Sequence, residues 1–179
     1  MRNDIERIML SESEIKARVK ELAKKLDEDY KGKRPLMVAI LKGSVMFFAD
    51  LIREMETEVV IDFMAISSYG NGAKSSGEVK MIKDLDGQIE GKDVIIVEDI
   101  IDSGYTMRYL KQLLSARRPN SIKLCALLDK PSRRETEVAI DYRGFEVEDE
   151  FVVGYGLDYA GLYRNLPYIG ILKREVYEK

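Results

Sequence analysis

The sequence predicts an α/β domain, a mostly parallel, twisted sheet flanked by helices. Three observations predict it. Apolar runs of strand length alternate with segments whose apolar residues recur at helical spacing. The run Val94-Ile95-Ile96-Val97 ends in Glu98-Asp99 and passes through small residues into a helical pattern. Pro and Gly punctuate short turns, with no domain-scale linker and no internal repeat. A chain of 179 residues, 45% hydrophobic, is enough for one core, so residues 1–179 are expected to form a single domain.

Ser11-Glu12-Ser13-Glu14 is a capping-box pattern, and Ile15, Val19, Leu22 and Leu26 follow on one helical face. Lys31-Gly32-Lys33-Arg34-Pro35 stops that helix. Leu36–Leu41 reads as a fully buried strand, Lys42-Gly43-Ser44 as a turn, and Val45–Met55 as an apolar helix. Val59–Ser67 is a second strand. Ser68–Lys80 is small, polar and Gly-rich, the composition of a lid or binding loop, although a plain hairpin tip has the same look. Val79–Lys83 is a strand candidate at its edge. Asp93–Glu98 is the central strand, and Met107, Leu110, Leu113 and Leu114 mark the helix after it. Ser121–Leu128 is another buried run, closed by Asp129-Lys130-Pro131. Val138–Tyr142 and Phe151–Tyr155 are short strand candidates.

Composition removes several chemistries. The chain has no His, which excludes Ser-His-Asp triads, Cys-His pairs and His-ligated metals. Its one Cys, Cys125, sits inside an apolar run and reads as a buried thiol. Net charge is −3, so no global basic field calls for nucleic acid. No apolar run approaches membrane-spanning length, and Met1–Glu6 is charged rather than leader-like. A cytoplasmic protein is expected, with no membrane and no nucleic-acid partner.

In parallel sheets, ligands bind beyond the carboxyl ends of the strands. Three predicted strand ends carry charge: Lys42-Gly43, Glu98-Asp99 and Asp129-Lys130. The loop Asp102-Ser103-Gly104 opens a helix, whose first N–H groups attract anions. Acids beside a phosphate cradle suit a ligand that also carries hydroxyls or a divalent cation. Taken singly, Glu98-Asp99 also fit solvated or helix-capping acids, and Lys42-Gly43 fits an ordinary turn.

Val94–Met107 resembles the phosphoribosyl-diphosphate (PRPP) motif of the type I phosphoribosyltransferases. The likeness extends to Leu41-Lys42-Gly43, Ser67-Ser68-Tyr69-Gly70, Leu127-Leu128-Asp129-Lys130, Phe151–Tyr159 and Arg164-Asn165-Leu166-Pro167. Together these resemble the 6-oxopurine branch, the hypoxanthine(-guanine) phosphoribosyltransferases of bacterial type. The resemblance implies the type I phosphoribosyltransferase fold, with a small hood from the two chain ends and a flexible lid at about 69–80.

The implied reaction is purine salvage. Hypoxanthine or guanine and PRPP give IMP or GMP and pyrophosphate, with Mg²⁺ as cofactor. The implied roles follow the matched positions. Glu98 and Asp99 hold the ribose hydroxyls, and Asp102, Ser103, Gly104, Tyr105 and Thr106 wrap the 5′-phosphate. Lys42, Gly43 and Arg164 take the pyrophosphate. Lys130, Phe151, Val152 and Asp158 bind the purine, with Lys130 reading the 6-oxo group. Asp102 is the acid/base at purine N7, and Ser68 and Tyr69 belong to the lid. Glu98, Asp99 and Asp158 serve the metal. Tyr105 stands where some relatives carry Lys, which removes a salt bridge there. A homodimer or homotetramer is implied. The competing reading is a nucleotide- or RNA-binding regulator on the same fold with little catalysis.

Overall fold

The computed structural model describes residues 1–68 and 79–178. The element order is β1 (Ile5–Leu10), α1 (Glu12–Asp29), β2 (Leu36–Leu41), α2 (Val45–Glu54), β3 (Val60–Ser68), β4 (Val79–Lys83), β5 (Asp93–Ile101), α3 (Tyr105–Ser115), β6 (Ser121–Asp129), β7 (Tyr142–Glu146), β8 (Val152–Val153), β9 (Ile169–Leu172) and α4 (Arg174–Tyr177). The main sheet runs β4-β3-β2-β5-β6-β7, antiparallel only between β3 and β4.

Alternation along the central strands sorts the core into two layers. Met37, Ala39, Ile95, Val97, Cys125 and Leu127 pack with Val19, Leu22 and Leu26 of α1 and Phe47 and Leu51 of α2. Val38, Ile40, Val94, Ile96, Leu124 and Ala126 pack with Met107, Leu110 and Leu114 of α3. Strands buried on both faces read as unbroken apolar runs, which is why β2, β5 and β6 are plain in the sequence. The capping box starts α1: Glu14 N–H donates to Ser11 Oγ at 3.3 Å, and Ser11 N–H donates to Glu14 Oε2 at 2.8 Å. Burial pushes the Cys125 thiol up, as an inert core group.

The chain moves from β2 to β3 on one side and later returns to β5 on the other. The carboxyl ends of β2 and β5 therefore flank a topological switch point, where such sheets leave a crevice. A second, antiparallel sheet, β1-β9-β8, joins the two chain ends beside this crevice.

Three strand boundaries differ clearly from the sequence reading. β5 runs three residues past Glu98, because Ile100 and Ile101 still pair with Leu128 and Asp129 of β6. The candidate strand Val138–Tyr142 is displaced to β7. Asp141 accepts the Leu124 N–H at 2.9 Å and pairs with Lys123, while Val138 and Ile140 pack irregularly against the α3 layer. Phe151–Tyr155 shrinks to β8, since Gly154 and Tyr155 turn to φ +100° and +50°. The sequence patterns predict no element at β1, β9 or α4. Register shifts break the alternation of β1, and Gly170 interrupts β9 where its backbone nears Ile5. Of the lid expected at about 69–80, residues 69–78, including Tyr69, lie outside the described residues, as does the side chain of Ser68, while Val79 and Lys80 begin β4.

Candidate active site

Extension of β5 turns Glu98 and Asp99 into strand residues beside the core rather than loop acids. Glu98 Oε2 is buried and has no hydrogen-bond partner among the described residues. Burial, then the neighbouring Asp99 charge, holds the Glu98 carboxyl well above its ordinary range. Burial also raises Asp99 to about 6, partly offset by the Ile100 N–H that donates to its Oδ1 at 2.8 Å and by the Arg164 charge. These are costly placements for carboxylates unless a ligand supplies donors.

After β5 the chain makes the turn Asp102-Ser103-Gly104 and enters α3. Gly104 stands at φ +90°, and a Cβ there would lie 2.7 Å from the Thr136 carbonyl. No side chain caps α3, so its first N–H groups keep no side-chain partner, and a small cavity of about 100 Å³ lined by Glu98, Asp102, Ser103 and Thr106 adjoins this helix start. The Tyr105 side chain does not line this cavity and is 36% exposed.

The Leu41–Lys42 peptide at the end of β2 is cis. Gly43 then packs against the Asp99 carboxylate, and a Cβ on Gly156 would lie 1.9 Å from the Gly43 carbonyl. A second cavity of about 240 Å³ opens here, lined by Gly43, Glu98, Asp99, Thr106, Asp158 and Arg164. Arg164 pairs with Asp158 at 2.6 Å and donates to the Gly156 carbonyl at 2.6 Å. Asp158 also accepts the Gly161 N–H at 2.7 Å.

The third strand end presents Lys130. Its side chain is buried, and Nζ donates to the Glu150 carbonyl at 2.8 Å with Asp149 at 3.8 Å. An ammonium has three donors, so this leaves donor capacity for a ligand. The Lys130 N–H donates to the Ile101 carbonyl at 3.0 Å, which ties the end of β6 to the residue before Asp102. Asp102 Oδ1 lies 3.2 Å from Arg133 Nε. Phe151 is 37% exposed, with Tyr177 stacked at 4.6 Å and the Tyr159 ring edge-on at 5.6 Å. Val152 is buried in β8, so only its main chain can meet a ligand.

The structure thus brings Gly43, Glu98, Asp99, Asp102, Ser103, Thr106, Asp158 and Arg164 around two adjoining cavities at the switch point. Lys42 enters at the same strand end, and Lys130 is linked through Ile101. Among the described residues, no three acidic, thiol or imidazole side chains converge as a metal cage. Asp158, which lines the same cavity as Glu98 and Asp99, pairs with Arg164 and accepts the Gly161 N–H. Glu98 and Asp99 remain as a carboxylate pair, which fits Mg²⁺ that arrives on a diphosphate and keeps much of its water. Sequence reasoning missed Gly156 and Arg134. The first shows itself only through close backbone approach. The second is one charged residue in the run Lys130-Pro131-Ser132-Arg133-Arg134, with nothing local to single it out.

The family model described as phosphoribosyl transferase domain matches residues 9–160. The hypoxanthine-guanine phosphoribosyltransferase of Bacillus subtilis is 56% identical over 178 residues, 99% of each chain. The bifunctional protein TilS/HprT of Listeria monocytogenes is 54% identical over 179 residues, all of this chain but 28% of that protein. The chain therefore spans little more than a quarter of the length of that relative. The crystal structure of a hypoxanthine phosphoribosyltransferase from Staphylococcus aureus superposes with a TM-score of 0.96 at 51% identity, covering 100% of this chain and 97% of the other. The chain belongs to the phosphoribosyltransferase family, in its hypoxanthine-guanine branch.

Proposed function

We propose that residues 1–179 form a purine-salvage transferase that moves the 5-phosphoribosyl group of PRPP to N9 of hypoxanthine or guanine, giving IMP or GMP and pyrophosphate. The supporting observation is the link between two strand ends. Lys130, a donor suited to a 6-oxo group, is hydrogen-bonded through its backbone to Ile101, one residue before Asp102.

In this reading the uncapped start of α3, with Ser103 and Thr106, takes the 5′-phosphate. Glu98 and Asp99 accept the ribose hydroxyls, replacing the partners that their burial denies them. Lys42, Arg164 and the Gly43 backbone take the pyrophosphate. Phe151 stacks on the purine, the Val152 main chain meets its edge, and Lys130 donates to O6. A 6-amino group there would meet a donor with a donor, so adenine is rejected. Asp158 is assigned indirectly, as the residue that orients Arg164. Glu98 and Asp99 would hold Mg²⁺, which supplies charge neutralisation to the departing diphosphate.

The N9–C1′ bond forms as the C1′–oxygen bond to pyrophosphate breaks. Asp102 receives the N7 proton. Much of the acceleration is then positional, since base and sugar are held by groups on adjacent strand ends. Ser68 and Tyr69 are assigned to a lid that excludes water during the reaction. A cytoplasmic homodimer or homotetramer completes the proposal, on resemblance. A base panel tests it. PRPP, Mg²⁺ and each of hypoxanthine, guanine, xanthine and adenine are supplied, and nucleotide formation is followed. IMP and GMP are the expected products; adenine as the best substrate would overturn the Lys130 assignment.

A further inference from the structure

Asp129 is a carboxylate at the end of β6, 6% exposed at its side chain, and the proposed chemistry does not use it. Its partner is Arg134, 18% exposed, whose Nη2 pairs with Asp129 Oδ1. The same guanidinium donates from Nε to the Asp102 carbonyl at 3.0 Å and from Nη2 to the Ile101 carbonyl at 3.5 Å. Arg143 Nη1 approaches Asp129 Oδ2 at 3.1 Å from the outer side. The next two residues continue the clamp, since Glu135 and Thr136 N–H groups donate to the Ser103 carbonyl at 3.0 and 3.1 Å. Even the stem of Arg134 participates: its Cδ is 3.1 Å from where a Cβ on Gly104 would stand.

A buried ion pair is a poor source of net stability, because desolvation offsets its attraction. This pair does something an apolar pair could not. It delivers a rigid, planar fork to two successive carbonyls, those of Ile101 and Asp102, on either side of the Asp102 α-carbon. We infer that Arg134, anchored by Asp129, is a positioning residue that sets the Asp102 peptide and the phosphate turn for phosphoribosyl transfer. This rests on the assignment of Asp102 as the proton acceptor and of Ser103–Thr106 as the phosphate turn. Arg134 lines neither of the two cavities, so it acts through residues 101–104 rather than by touching substrate.

Arg134→Lys separates positioning from structural support. A lysine can keep the ion pair with Asp129, but its donors radiate from one nitrogen and do not reproduce the planar, spaced Nε and Nη2 fork that meets the two carbonyls. The chain should therefore fold with a melting temperature within a few degrees of the original. Turnover should fall about 10- to 100-fold, the usual penalty for a misplacement near an ångström. KM for PRPP should rise, while KM for hypoxanthine stays within about threefold, because Lys130 and Phe151 are unaffected. Asp129→Asn should shift the same parameters in the same direction. Combined with Arg134→Lys it should add less than its separate effect, as expected for one unit.

A purely structural role would show as a lowered melting temperature and a smaller active fraction, with both KM values and the turnover per folded molecule unchanged. That pattern, or an Arg134→Lys enzyme with the original kcat, overturns the inference. A wild-type chain that forms no nucleotide from any purine overturns the transfer reading and this inference together, so the two failures are distinguishable.

Discussion

The Asp99 carboxylate packs directly on the α-carbon of Gly43: a β-carbon built there falls 1.7 Å from Oδ2 and 2.7 Å from Cγ. The requirement for glycine is therefore a matter of space, and it joins the end of β2 to the acid pair of β5. Behind it, a β-carbon on Gly156 would strike the Gly43 carbonyl at 1.9 Å. The layers Asp99, Gly43 and Gly156 are in contact, so a disturbance of one reaches the proposed ribose and pyrophosphate subsites together.

Gly43→Ala should accordingly displace Asp99 or the Lys42-Gly43 turn. Overpacking of this kind costs about 1–3 kcal/mol of stability, which a chain of this size should survive folded. Activity should suffer more, by about 100-fold in kcat/KM, because a misplacement near 1 Å is amplified at a reacting centre. Thermal melts and steady-state kinetics on the same preparation check both parts. Activity within twofold of the original would mean that the Asp99–Gly43 contact does not position the ligand.

The acid pair also predicts a pH dependence of the ligand-free fold. Asp99 rises from 3.8 to about 6 on folding, chiefly through burial, so the folded state binds its proton more tightly than the unfolded chain. Stability then falls as pH rises from about 4 through about 6, and the full cost is present above that window. Asp99→Asn removes the charge and can keep the acceptor for the Ile100 N–H. It should gain up to about 3 kcal/mol at pH 7.5 and nothing near pH 4, on the scale of about 1.4 kcal/mol per pKa unit. Glu98→Gln should move stability in the same direction. Urea unfolding at the two pH values, without PRPP or Mg²⁺, measures this. A gain that persists undiminished at pH 4 would exclude charge burial as its cause. Both variants should lose PRPP affinity, the signature of acids kept for a ligand at the expense of the empty fold.

How much of this was legible in the sequence follows from the range of each interaction. β2, β5 and β6 are buried on both faces, so their composition alone announces them, and the passage from Val97 to Met107 contains the whole turn proposed for the phosphate in one stretch. Glu98, Asp99 and Lys42 were likewise visible as charges at strand ends. What was not legible depends on partners distant in the chain. The three-residue extension of β5 is decided by pairing with β6, β9 by its fit to β1, and the place of Gly156 by Gly43. The role proposed for Arg134 depends on carbonyls at 101 and 102, which no local pattern around it reveals.

Phe151 predicts a division of kinetic effects. One face of its ring is covered by Tyr177 at an interplanar angle of 20°, and Tyr159 meets it at 87°. The ring stays 37% exposed, and that exposed part is what it offers to the proposed purine. Tyr177→Leu should loosen this ring without removing it, raising KM for hypoxanthine by about 2- to 10-fold, the equivalent of one aromatic pair worth about 0.5–1.5 kcal/mol. KM for PRPP should stay unchanged, since no proposed phosphate or ribose contact involves α4. Phe151→Leu should raise the purine KM further. Equal rises in both KM values would show instead that the C-terminal turn supports the site as a whole.

Lys130 carries the last prediction, because its position joins selectivity to stability. The amine is buried and already donates to the Glu150 carbonyl, so its stem and one donor are fixed before a purine arrives. Lys130→Met keeps the volume and removes all three donors. A charge-assisted hydrogen bond to O6 is worth about 1.5–3 kcal/mol, so kcat/KM for hypoxanthine and guanine should fall about 10- to 150-fold. Adenine should gain relative to them, because nothing at that point repels a 6-amino group any longer. The stranded Glu150 carbonyl should lower stability by about 1–3 kcal/mol. Competition between hypoxanthine and adenine at fixed PRPP separates the two consequences. Stability alone scales both bases equally, whereas loss of the O6 donor changes their ratio. An unchanged ratio would place the reader of the 6-position elsewhere in the site.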